Sequence, residues 1–230
     1  MPEDYENILK HYDLYRAYGE FNFLFEDTIQ EYRLLTIAIV RISYEYYEEE
    51  DEEQNELDYT HQDRLLKLIM NNMGAREIIE SCRACFIDFF KRQSQKSGSY
   101  TFKWYDEERN ISEATFSYAI EIFKRSLDLI ELRNTIIHSH YSESLTIPEI
   151  RRETLKGRKE FKTSRGYELR NFIYDTETLE TLNKNILTLQ SYLKRIRFIL
   201  YLDDQEKENY VEELEYLKQM NFKIDFSIDE

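Results

Sequence analysis

Only two prolines and five glycines interrupt 230 residues. With so few residues that break helices or make tight turns, the chain is expected to run in long helices joined by few corners. No apolar run approaches the ~20 residues of a membrane span, and no basic-then-apolar leader opens the sequence. Neither a membrane helix nor a secretory signal is therefore expected, and the protein is read as cytoplasmic. Cysteine is nearly absent: Cys82 and Cys85 make one C-x2-C inside an apolar helical pattern. The pair is a redox couple, half of a zinc site or two reduced core thiols. No second pair completes a zinc tetrahedron and no loop surrounds this one, which favours buried, reduced thiols. A glycine-rich phosphate loop, G-x-S-x-G and H-E-x-x-H are also missing. No metal and no cofactor is expected.

Aromatic residues are plentiful, with 19 tyrosines and 14 phenylalanines, so the core is expected to be built from rings whose polar tips need partners. The net charge of −15 discourages nucleic acid on its face, but the charge is unevenly spread. Glu45 to Asp58 holds nine acids and no base, and Asp203 to Glu230 holds ten acids and three bases. Arg151 to Arg170 has eight bases against three acids, which makes it +5 and the rest of the chain −20. The acidic run 45–58 reads as a solvated loop or frayed helix end, with docking of a basic partner as the alternative.

Along the chain, 4–18 reads as a short tyrosine-rich helix ending near Gly19, and 20–46 as the first long core helix. Thr60 and Asp63 resemble a capping box, opening a helix through Leu65, Leu66, Leu68, Ile69 and Met73 with a bend at Gly74. A helix over 76–91 follows, then a polar loop 93–99 and an extended piece, Tyr100 to Trp104. Asn110 with Glu113 caps the next helix. Beyond it, 142–174 reads as an inserted loop or hairpin with its tip near Lys156, Gly157 and Arg158. Asp175 is placed as N-cap of a last core helix through Ile199, and Tyr210 to Met220 as a shorter acidic helix. No repeat or Gly/Ser linker divides residues 1–230, so one all-α domain is expected.

The chemistry concentrates in Ser112 to Tyr141. At ~100° per residue, Phe116, Ile120, Phe123, Leu127 and Ile130 form one apolar stripe, continued by Asn134, His138 and Tyr141. Burying those polar groups unpaired would cost roughly 1–3 kcal/mol each, so they need partners or a wet cleft. Ile122, Leu129, Leu132 and Ile136 form a second line on the opposite side. Two apolar faces suit a helix central to a bundle or one shared with a second subunit.

Arg133, four residues and His138, with Asn134 directly after the arginine, resemble the motif of the HEPN domains. The resemblance covers about residues 20 to 201. It implies a bundle of long antiparallel helices, with the motif late in the third core helix and a loop or small β-hairpin before the last one. The basic insertion 142–174 and the acidic helix and tail 203–230 are additions to that pattern. It also implies a cleft shared by two subunits, and for the catalytic members a metal-independent endoribonuclease, with Arg133, Asn134 and His138 as site residues. Histidine can act as acid or base near neutral pH, its unperturbed pKa being about 6.5, and arginine grips phosphate through a planar fork. In some HEPN toxins a tyrosine stands two residues after the histidine. Here that place is His140, with Tyr141 one later, and both are candidate auxiliaries.

The expected function is thus cleavage of cellular RNA by a toxin or phage-defence effector, as a homodimer, with a cognate antitoxin or regulatory protein as a further partner. Arg151, Arg152, Lys156, Arg158, Lys159 and Lys162 are the candidate RNA-binding residues. The competing readings are a non-catalytic RNA- or nucleotide-binding module and a helical protein-interaction adaptor whose acidic arms dock a basic protein. The plainest reading makes Arg133 a helix cap and His138 a satisfied core residue.

Overall fold

A computed structural model describes residues 3–48, 59–95, 110–138, 140–141, 154–163 and 166–201. The described chain is mostly helical. The helices are α1 (Glu3–Glu48), α2 (Tyr59–Asn71), α3 (Ala75–Gln95), α4 (Asn110–His138) and α5 (Thr176–Tyr201). Between α4 and α5 lie β1 (His140–Tyr141), β2 (Thr154–Thr163) and β3 (Gly166–Asp175), paired antiparallel in that order.

Gly19 does not divide α1. The helix runs through it for 46 residues, about 69 Å at 1.5 Å per residue. A glycine costs a helix interior only ~0.5–1 kcal/mol, and the buried line Leu14, Ala17, Phe21, Leu24, Thr28, Glu31 and Leu35 continues across it at 3–4 spacing. That line holds both halves in one helix. The bend at Gly74 is real: α2 and α3 are separate. Glu77 Oε2 accepts the Gly74 N–H at 2.8 Å, the reach-back half of a capping box. Helix α2 starts at Tyr59, so Thr60 lies inside its first turn rather than ahead of it. Asp175 caps α5 as its sequence suggests, its Oδ1 accepting the Thr178 N–H at 2.7 Å.

The chain gathers into two compact units, and α1, α4 and α5 each contribute a segment to both. In the unit that takes 28–127 and 189–224, the core is aromatic. Tyr32 packs on Phe123, and Phe86 lies against Phe116 and Phe123. The Tyr32 hydroxyl bonds Ser126 Oγ, and Ser126 in turn donates to the Ile122 carbonyl, so the buried phenol has its partner. Gln190 donates to Thr28 Oγ1, and Lys194 and Arg197 both reach the buried Glu31. These contacts advance in the same sense along α1 and α5, so their segments run parallel, not antiparallel. Short loops force antiparallel packing only on consecutive helices, and α1 and α5 are not consecutive.

Cys82 is buried beside Thr36, and burial pushes its thiol up to about 12. Cys85 is only half-buried, not a second core thiol. The pieces expected at Tyr100–Trp104, Leu145–Ile147 and Tyr210–Met220 lie outside the described residues.

Candidate functional site

The site residues belong to the other unit, which takes residues 1–27, 128–188 and 225–230. Its α4 segment reverses one expectation. The second apolar line is the better buried side of the helix: Leu129 is 1% exposed, Leu132 7% and Ile136 0% within a single chain. The first stripe, in its Leu127 and Asn134, is half-buried. An apolar face already covered needs no second subunit, so it no longer argues for a dimer.

The axis of that buried side is Ala119, Ile122, Ser126, Leu129, position 133 and Ile136, at spacings of three and four. Position 133 is Arg133. A guanidinium therefore stands where the pattern of the helix calls for a small or apolar group. The side chain is 27% exposed. Its Cζ lies 5.1 Å from the centroid of the buried Phe25 ring, within the range of a cation–π contact. Its Nη2 is 3.7 Å from Glu26 Oε1, and Glu26 is 66% exposed. Nη1 donates to Asn134 Oδ1 at 3.4 Å. The arginine is therefore held at three points, with its buried Nε–H left without an acceptor among the described residues. The sequence marks Arg133 and Asn134, but it gives no sign of Phe25 and Glu26, which lie more than a hundred residues earlier and read as ordinary helix positions.

Helix α4 ends at His138. His140 and Tyr141 therefore do not continue the helical face; they form β1, opposite Arg158 and Gly157 of β2. Pairing with β2 gives the exiting chain its backbone hydrogen bonds. It also fixes a distance: two residues along the chain and one ladder step place the Arg158 Cα within ~13 Å of the His138 Cα.

The hairpin tip is not at 156–158. Gly157 sits inside β2, between Tyr141 and Phe172. Flanking aromatic positions can support a strand glycine that has no side chain of its own. The chain reverses instead between Thr163 and Gly166, as a two-residue connection allows. By the two-residue period of a strand, positions 156, 158 and 162 share one side of the ladder with His140, and Lys159 lies on the other, directly opposite Arg170. Arg151 and Arg152 lie outside the described residues.

Among the described residues no group of His, Cys, Asp and Glu is arranged to hold a metal, and no helix is long and apolar enough to cross a membrane. Comparison with family models, with curated proteins and with solved structures finds no match.

Proposed function

We propose that this chain is a metal-independent endoribonuclease of the HEPN type, a toxin or phage-defence effector that cuts cellular RNA. The observation that carries the reading is Arg133: a cation on the buried axis of α4, half-shielded, with an exposed carboxylate as its only ionic partner among the described residues. A partly buried arginine whose one ionic partner is an exposed carboxylate is poorly accounted for by stability alone. A phosphate accepting its fork would complete it.

In this reading the RNA 2′-hydroxyl gives up its proton, its oxygen bonds to phosphorus, and the bond to the 5′-oxygen breaks with that oxygen protonated. His138 moves one of those protons. Arg133 bears the charge that develops on the phosphoryl oxygens, and Asn134 fixes the guanidinium. His140 and Tyr141 belong to β1, and the bases of β2 hold flanking phosphates. A cleft shared by two chains rests on the resemblance alone.

A binding module without cleavage is the second reading, and Glu26 favours it: a carboxylate on the arginine suits reversible exchange with a ligand phosphate. The test is cleavage of synthetic RNA with and without EDTA. Cleavage insensitive to EDTA, abolished by His138→Ala and largely lost in Arg133→Lys, is the expected result. RNA binding that depends on Arg133 without any cleavage would move the protein to the second reading.

A further inference from the structure

Helix α2 is apolar on more of its surface than its own unit covers. Leu66 and Met73 are half-buried and Met70 is 4% exposed, so these three hold the helix inward. Leu65, Leu68 and Ile69, at spacings of three and four, form a separate stripe, and they are 47%, 61% and 60% exposed. Together they offer on the order of 300 Å² of contiguous apolar surface, in the range of the largest, often functional, patch of an ordinary monomer.

The charges beside the stripe are uneven. Arg64 and Lys67 are exposed, and neither has an ion pair among the described residues. The acids at the corner after α2 are engaged within the chain: Glu77 accepts the Gly74 N–H at 2.8 Å, and Glu80 meets Arg76 at 3.6 Å. The first turn of α2 holds no acid, so no carboxylate in that turn offsets the positive end of the helix dipole.

These charges choose between occupants. An anionic bilayer or an RNA extends beyond α2 and also meets the nine acids of 45–58, which end at the residue before Tyr59. Charges within a screening length of ~8 Å of such a surface repel it. A second copy laid stripe to stripe doubles a positive charge, since α2 has two bases against one acid. A single acidic helix, ~10 Å across, is narrow enough to cover the stripe while its flanking carboxylates pair with Arg64 and Lys67. The area is well below the ~800 Å² per side of a stable interface, so the contact suits a partner that comes and goes.

We propose that the α2 stripe of Leu65, Leu68 and Ile69 docks an acidic amphipathic helix of a partner protein, with Arg64 and Lys67 receiving its carboxylates. The proposal is independent of RNA cleavage and can fail without it.

The experiment uses the full chain and a labelled synthetic peptide, leucine at helical spacings of three and four and glutamate elsewhere, followed by fluorescence anisotropy. A version with lysine for glutamate and one with the leucines scrambled run beside it. The glutamate peptide is expected to bind, the lysine peptide at least about tenfold more weakly, and the scrambled one not at all. Leu68→Gln/Ile69→Gln should weaken glutamate-peptide binding about tenfold. Arg64→Gln/Lys67→Gln should weaken it severalfold and flatten its salt dependence. All four positions are exposed and glutamine is a good helix former, so circular dichroism should not change. Equal binding by all variants, no binding, or no preference for glutamate over lysine overturns the proposal. Anionic vesicles or a labelled oligouridylate held by the wild type and lost from these variants would assign the stripe to a membrane or to RNA. Self-association lost in the same variants would assign it to a second copy. Each of those results overturns the proposal too.

Discussion

Glu26 and Glu31 sit five residues apart on α1 and do opposite work. Glu26 is exposed and meets Arg133 at 3.7 Å, so it contributes little stability, ~0–1 kcal/mol, yet it competes with any phosphate for the guanidinium. Glu26→Gln is therefore expected to leave thermal stability nearly unchanged and to tighten RNA binding severalfold; a filter-binding assay that finds weaker binding would show that the carboxylate assists rather than competes. Glu31 is buried between Lys194 and the partly buried Arg197. Glu31→Ala strands those cations and should cost about 1–3 kcal/mol in urea unfolding, with Lys194, half-exposed, softening the loss. Of the candidate site, the sequence marks Arg133 and Asn134, whose side chains the structure joins, and His138, which it places as the last residue of α4. Their setting was not legible there, because the ring and carboxylate that hold Arg133 come from another helix, and no local spacing reports on a neighbour so distant in sequence.

Among the elements, the helices were legible wherever apolar spacing and a cap agreed. Asp175 is the clear case. Its hydrogen bond from Thr178 holds the carboxyl below its ordinary value, so its contribution is present above the unfolded pKa of about 3.9 and is lost as pH falls through the lowered one. The lead of the wild type over Asp175→Ala, about 1 kcal/mol at pH 7, should shrink steadily as unfolding is followed below pH 4. A lead that persists to pH 2 would mean that the charge of Asp175 contributes nothing. Punctuation misled at two glycines, Gly19 and Gly157, because each sits inside a regular element that tertiary or cross-strand neighbours keep straight. The end of α4 misled for a related reason: the strand after His138 pairs with a partner sixteen or more residues away, which no helical period reveals. Changing Lys156, Arg158, Lys159 and Lys162 to Ser should flatten the salt dependence of RNA binding, by roughly 0.7 in log–log slope for each phosphate no longer neutralised. Lys159→Ser alone should raise stability slightly, since Lys159 directly faces Arg170 and like charges so placed repel. Unchanged salt slopes would take the hairpin out of the RNA path.

For the molecule as a whole, the burial of Leu129, Leu132 and Ile136 within one chain removes the second apolar line of α4 as a reason for a second subunit. Sedimentation at micromolar concentration is the direct measure: a monomer that still cleaves RNA would dispense with the two-chain cleft, and a dimer lost together with activity would restore it. The order of closure has its own consequence. The Asn183 amide donates to the Ala17 carbonyl across 166 positions of sequence, and Gln190 to Thr28 across 162. At about 5–20 residues per second on a ribosome, α1 waits roughly 8–30 seconds for α5 to emerge. Until then its buried line has no α5 to lie against, and the helix that seats the Arg133 ring contact is not yet fixed. A nascent chain stalled before residue 183 therefore carries the whole Arg133–His138 motif but not a finished seat for it. If the protein cuts RNA, that activity waits until α5 has been made and has closed on α1.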